Sequence, residues 1–396
     1  MSAEIGVAVI GFGLAGKVFH APFVSAVPGL RLEAIVQRKG DEAAQAYPKT
    51  RILRSVEEAL KDSAVRLVVV ATPNETHFDL ATQALVAGKH VVIDKPFAAT
   101  SAEAKELKEL AEKQGVVLVP FHNRRWDGDF RTVKRLLAEE AVGRLVTYES
   151  HMDRFRPLPR ENTWKEGANL ANGLLMDLGP HLVDQALALF GVPAGITASV
   201  RKDRDKTDIE DAFDITLEYP GYSGEHGLRA HCRSSMLACD AAPRFLLHGT
   251  KGSFKKYGLD PQEPALVGGA KVPRMYEHNF SAGEKLSGDL DELLTGINAQ
   301  GIEALRAMEA SEWLAEPESE WGTLTVAPVL ADPTMLVRTK VKTELGDYRL
   351  YYANVRDAIN GVAKLAVTPE DGYRVIRLLE MARESSAAGR TLKVEF

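Results

Sequence analysis

The sequence predicts an α/β N-terminal domain built on a parallel sheet, followed by an α+β domain with a large, mostly antiparallel open sheet. Three observations carry this. Residues 1–121 alternate short β-branched runs with helical stretches. From residue 122 onward, strand-like runs follow one another over short connections. The chain has 396 residues, 45% hydrophobic and 26% charged, which suits two ordinary globular domains.

In the first part, residues 6–10 read as a strand and 14–27 as a helix that Pro22 shortens or kinks. Residues 30–37 read as the second strand, 56–61 as a short helix and 65–71 as an apolar strand. A helix over 74–87 closes at Gly88, and 90–93 is another strand. Residues 101–114 read as a helix capped by Ser101 and ended by Gly115, with 116–121 as the last strand. Apolar strands separated by helices imply a parallel sheet covered on both faces. The domain boundary is therefore placed near Phe121, dividing the chain into 1–121 and 122–396. In the second domain, 129–139 and 180–189 read as helices. Residues 145–151, 196–202, 213–219, 227–233 and 245–249 read as strands. Residues 276–317 form a polar segment, rich in Glu and Leu, that reads as an insertion. An amphipathic helix over 370–388 follows an aromatic stretch whose Tyr351 and Tyr352 read as core.

A formal net charge of −6 argues against nucleic acid or an anionic membrane as the main partner. Cys232 and Cys239 are too few for a disulfide framework or a tetrahedral zinc site, and read as free thiols. No metal site is expected. No run approaches the roughly 18 apolar residues of a membrane span, and no secretory leader is evident. The expected location is the cytoplasm.

Gly11-Phe12-Gly13-Leu14-Ala15-Gly16 follows one strand and opens a helix. Glycines alone mark many tight turns, but this context is that of the Rossmann dinucleotide fingerprint. The first glycine permits the turn, the second lets the backbone approach a pyrophosphate, and the third allows close helix–strand packing. The second strand runs into Arg38 and Lys39, where an NAD site usually carries an acid, and Glu33 lies too early to serve. Arg38 and Lys39 could embrace a 2′-phosphate, favouring NADP over NAD, or could be two solvated charges at a strand end.

Lys95, in Asp94-Lys95-Pro96, follows a buried strand, beyond whose carboxyl end ligands gather in open parallel sheets. Oxidising an alcohol needs a proton acceptor on oxygen while hydride leaves carbon, which a lysine of lowered pKa can supply. A strand-end lysine also reads as a surface charge. Asp177-Leu178-Gly179-Pro180-His181 would place Asp177 and His181 on one helix face. His181 would then shuttle a proton or donate to a hydroxyl, and Asp177 would orient the substrate or the lysine. Because Pro180 prefers the first helical turn, Asp177 equally reads as an N-cap and His181 as a satisfied interior histidine.

These pieces together, with Ala71-Thr72-Pro73-Asn74 and His77, resemble the glucose–fructose oxidoreductase/inositol dehydrogenase (Gfo/Idh/MocA) family. The segments 13–22, 122–127, 154–157, 251–253 and 259–262 look closest to its NADP-dependent scyllo-inositol dehydrogenase branch. The resemblance implies that Lys95, Asp177 and His181 carry catalysis and that the Lys95–Pro96 bond is cis. It also implies that Pro73, Asn74 and His77 lie beside the cofactor, with Thr72 and Pro96 adjoining. Arg124 is a candidate to position the nicotinamide amide, and Arg154 and Trp164 to meet substrate; both arginines equally read as ion-pair partners. Asp94 stands where relatives carry Glu, Lys165 where an Arg is common, and Leu170-Ala171-Asn172-Gly173 is less glycine-rich than in relatives.

The expected activity is reversible oxidation of a secondary hydroxyl on a cyclic polyol or sugar, scyllo-inositol-like, with NADP or NAD as hydride carrier. Reduction of a keto-sugar such as anhydrofructose needs the same machinery. A non-catalytic NAD(P)- or sugar-sensing regulator is the rival of another class, and the retained Lys95, Asp177 and His181 count against it. The expected partners are a small polyol or sugar and further copies of the chain, a homodimer or homotetramer joined through the C-terminal sheet.

Overall fold

The computed structural model describes residues 4–161, 163, 166–275, 315–330, 332 and 334–396. Its first sheet comprises β1 (Ile5–Ile10), β2 (Leu30–Val36), β3 (Arg51–Leu53), β4 (Val65–Val70), β5 (His90–Ile93) and β6 (Leu118–Pro120). Every pairing is parallel, in the order β3-β2-β1-β4-β5-β6. All of β1 is buried, as a strand covered on both faces requires. The chain winds outward from β1 to β3 and then returns to β4, so the crevice beyond the carboxyl ends of β1 and β4 is the topological switch point.

Helices α1 (Ala21–Ala26), α2 (Glu42–Ala46), α3 (Val56–Lys61), α4 (His77–Val86) and α5 (Ser101–Gln114) connect these strands. The expected disturbance at Pro22 is a π-helical turn over Gly16–His20, in which the Ala21 N–H bonds back to the Gly16 carbonyl. Pro22 has no N–H and would crowd the Val18 carbonyl in a regular helix, so the wider turn accommodates it. The cap of α5 is Thr100 rather than Ser101. Thr100 and Glu103 form a reciprocal capping box, while the Ser101 hydroxyl donates to Glu380 at 2.5 Å.

The second sheet is built from β7 (Leu145–His151), β8 (Gly195–Arg201), β9 (Ala212–Ser223), β10 (His226–Ser235), β11 (Phe245–Gly249), β12 (Gly252–Lys256), β13 (Gly322–Val326), β14 (Val337–Val341) and β15 (Leu392–Lys393). Its order is β14-β13-β12-β11-β7-β10-β9-β8-β15, antiparallel except at β7–β10. Helices α6 (Gly128–Ala138), α7 (Leu174–Phe190), α8 (Gln262–Val267), α9 (Arg349–Ile359) and α10 (Pro369–Ala388) accompany it. The preference of Pro180 for a first turn predicts a helix starting there, but α7 begins at Leu174 and carries Pro180 in its interior. Every residue from Leu174 to Leu187 except Asp177 is buried. That packing outweighs the hydrogen bond Pro180 cannot make.

Helices α9 and α10 return to the first sheet. Tyr348, Tyr351 and Tyr352 are fully buried and join Phe23 and Phe121 in the core against β1, as core aromatics should. On α10, a Cβ at Gly372 would stand 2.7 Å from the Phe97 ring, so only glycine allows this approach. The two sheets are thereby held on either side of one crevice. Most of the inserted segment, 276–314, lies outside the described residues. Among the described residues no helix is long and apolar enough to cross a membrane. Cys232 is buried and Cys239 exposed, both as free thiols.

Candidate active site

Beyond the carboxyl ends of β1, β4 and β5 lies a cavity of about 1380 Å³ that extends to α7 and the 154–160 segment. Single-ligand pockets span roughly 300–1,000 Å³, so this one has room for a dinucleotide and a small second molecule.

The fingerprint loop forms its floor. Gly11 has φ +100°, and a Cβ there would meet the Ala71 carbonyl oxygen at 2.4 Å. A Cβ on Gly16 would stand 2.0 Å from the Gly11 carbonyl oxygen, so this glycine lets the helix pack on the turn. A Cβ on Gly13 would meet nothing within 4 Å. Space is therefore open where a pyrophosphate would approach the backbone, and the residues fit a dinucleotide. Phe12, Gly13, Leu14 and Ala15 line the cavity with Gly11, whereas Gly16 lies behind it. Arg38 and Lys39 are exposed at its rim, and neither has an ion pair among the described residues. The Arg54 guanidinium holds the turn beneath them through the Gln37 and Gly40 carbonyls, at 3.0 and 2.7 Å.

Thr72, Pro73 and Asn74 line the next wall. His77 does not. It is fully buried, with its ring nitrogens 2.9 Å from the Thr72 and Pro96 carbonyl oxygens. It thus ties the loop after β4 to the loop after β5. The Lys95–Pro96 bond is cis, and Pro96 sits behind the cavity wall. The Asn74 side chain donates to the Ala171 carbonyl at 2.7 Å, joining this wall to the approach to α7.

At the far end Lys95 Nζ donates to the Asp177 carbonyl oxygen at 3.1 Å and to its carboxylate. The other oxygen of that carboxylate accepts from Arg154 Nη1 at 2.9 Å. Asp177 is not an N-cap: its own N–H bonds to Gly173 within the first turn of α7. One turn on, His181 is buried, lines the same cavity, and its Nδ1 has no hydrogen-bond partner among the described residues. Burial, together with the positive charges of Arg124 and Lys95, pushes its pKa well below the usual histidine range. The imidazole is therefore neutral at neutral pH.

Arg124 lines the cavity but is pinned by Asp127 at 3.2 Å and by Glu263, also on the cavity wall, at 2.5 Å. Trp164 lies outside the described residues. The support beneath Lys95 is not evident from the sequence. Asp94 faces His20 Nε2 at 3.7 Å, and His20 Nδ1 meets the Tyr352 hydroxyl at 2.6 Å. Burial alone would raise the Asp94 pKa, but His20, Lys95 and His77 outweigh it and hold the carboxyl below its usual range. The only sequence signal for this arrangement was a histidine on the first helix. Among the described residues no group of His, Cys, Asp or Glu side chains could hold a metal ion.

Comparison with known proteins agrees over the whole chain. Residues 5–122 match the model of the oxidoreductase family with an NAD-binding Rossmann fold, and 134–396 match its C-terminal alpha/beta domain. The chain is 37% identical to the uncharacterized oxidoreductase YdgJ of Escherichia coli, over 99% of both proteins. It is 33% identical to the scyllo-inositol 2-dehydrogenase (NADP(+)) IolW of Bacillus subtilis, over 99% of this chain and 96% of that protein. A solved oxidoreductase from Bacillus cereus superposes with a TM-score of 0.79 at 27% identity, covering 99% of each chain. Fingerprint, crevice and second sheet together make this chain an NAD(P)-binding member of the Gfo/Idh/MocA oxidoreductase family.

Proposed function

We propose that this protein reversibly oxidises a secondary hydroxyl of a cyclic polyol or sugar, with NADP as the preferred carrier. The observation that carries the reading is the convergence of Lys95, Asp177 and His181 on the cavity that begins at the dinucleotide loop. IolW, whose name states NADP-dependent oxidation of scyllo-inositol, supports the substrate class. The unpaired Arg38 and Lys39 at the cavity rim support NADP, since a 2′-phosphate there would gain charge-assisted hydrogen bonds.

When bound, the cofactor supplies the hydride acceptor at its nicotinamide C4. From sequence alone Lys95 is the expected acceptor of the hydroxyl proton. Nζ is engaged by two acceptors of Asp177, whereas His181 is the group held neutral. We therefore assign proton acceptance to the His181 imidazole and a hydrogen bond to the reacting oxygen to Lys95, which Asp177 orients. The alcohol loses a hydride from carbon and a proton from oxygen and becomes a ketone. Run backwards, the same groups reduce a keto-sugar.

Initial rates with NADP and NAD against inositols, aldoses and keto-sugars test the reading. Lys95→Ala should abolish turnover while NADPH still binds. Undiminished turnover in that variant would remove Lys95 from the chemistry.

A further inference from the structure

The segment leading away from β7 is strapped to the end of β10. The Arg154 N–H bonds to Ser235, the Arg156 N–H bonds to Met236 at 2.7 Å, and Phe155 forms a bridge to Leu237. This fixed backbone delivers Arg154, Arg156 and Arg160 to the substrate end of the cavity. The carboxylates at that end are already engaged. Asp177 serves Lys95 and Arg154, and Glu166 serves Arg204 at 2.9 Å. Among the described residues neither the Arg156 nor the Arg160 guanidinium has an ion pair. Arg156 is half-buried, and burial with the charges of Arg154 and Arg160 pulls its pKa below the usual arginine value. Like charges crowded around partly desolvated groups favour the arrival of an anion. The cofactor's phosphates do not answer this need, because their cradle lies at the opposite end, at Gly11–Gly16 with Arg38 and Lys39.

We propose that the substrate carries an anionic group, a carboxylate or a phosphate ester, on a carbon away from the one oxidised, and that Arg156 and Arg160 bind it. The inference rests on the polyol-oxidoreductase reading and narrows its substrate class to sugar acids or sugar phosphates. The planar, always-charged guanidinium suits both anions through paired N–H donors.

The test compares kcat/KM for neutral parents with their acids and esters: glucose, glucuronate and glucose 6-phosphate, then myo-inositol and myo-inositol 1-phosphate. The carboxylate and phosphate arms tell the two sources apart. At least one anionic member should exceed its parent by about 10- to 100-fold, the worth of one or two charge-assisted hydrogen bonds. That ratio should collapse towards one in Arg156→Gln/Arg160→Gln, be partly restored by Arg156→Lys, and shrink with added salt. NADPH titration of the double variant reports whether the fold and cofactor site survive. If neutral parents react as well as their anions in the wild type, or if the ratio persists in the double variant, this proposal is overturned and the parent reading stands. Absence of turnover across the whole panel overturns both.

Discussion

Replacing Gly13 and Gly16 separately distinguishes a cofactor cradle from an ordinary tight turn. A Cβ on Gly13 meets no protein atom within 4 Å, so Gly13→Ala should leave stability within about 1 kcal/mol of wild type, with a small gain from a stiffer unfolded chain. The same methyl stands where a pyrophosphate must approach the backbone. Losing one or two charge-assisted hydrogen bonds there should raise the NADPH dissociation constant by about 10- to 100-fold. Gly16→Ala is the opposite case. Its Cβ would lie 2.0 Å from the Gly11 carbonyl oxygen, so the helix must shift, at a cost of about 1–3 kcal/mol typical of overpacking. Urea denaturation reads the stabilities and NADPH fluorescence titration reads the binding. Wild-type NADPH affinity in a stably folded Gly13→Ala would refute the placement of the diphosphate.

Three further outcomes follow from individual contacts. Arg38→Asp should lower kcat/KM with NADP about 10- to 100-fold relative to NAD, and an unchanged ratio would show that the rim cations do not meet a 2′-phosphate. Arg204 is buried and donates to Asp211 at 2.8 Å; Arg204→Ala removes the charge partner of that carboxylate, leaving it only the backbone N–H groups of residues 203 and 204, and should cost about 3 kcal/mol in urea, so a loss under about 1 kcal/mol would contradict it. His90 Nδ1 accepts from the Val117 N–H, and burial with the nearby Arg66 charge pushes its pKa from 6.5 to about 4. The unfolded chain therefore takes up that proton first, so stability is full above pH 6.5 and falls as the pH drops towards 4. Denaturation midpoints across that window should show a shallower decline in His90→Asn, and an identical slope would exclude His90 as a source.

Five strands of the first sheet were readable because their signals are local, whereas the short edge strand β3, Arg51–Leu53, was not. Largely apolar strands, glycine stops and the Gly11–Gly16 fingerprint each lie within a few residues of what they specify. Lys95, Asp177 and His181 were also legible as types, since a strand end and a helical spacing place them. What escaped came from distant contacts. The start of α7 at Leu174 is set by burial against β9 and β10, which overrides the local preference of Pro180 for a first turn. The role of His77 became visible only once Pro96, nineteen positions away in the chain, lay against it. Arg124 is held by Glu263 from across 139 residues, a partner no spacing reveals. The assignment of proton acceptance to His181 likewise depends on burial and on cations gathered by the fold.

A crystal structure of the protein with NADPH and a polyol or sugar would show where the reacting groups stand. The nicotinamide ring should lie at the Lys95–Asp177 end of the cavity, its C4 facing the substrate carbon, with Lys95 Nζ and the His181 imidazole both against the substrate oxygen. A nicotinamide lying elsewhere, or a substrate oxygen out of reach of both groups, would contradict this placement.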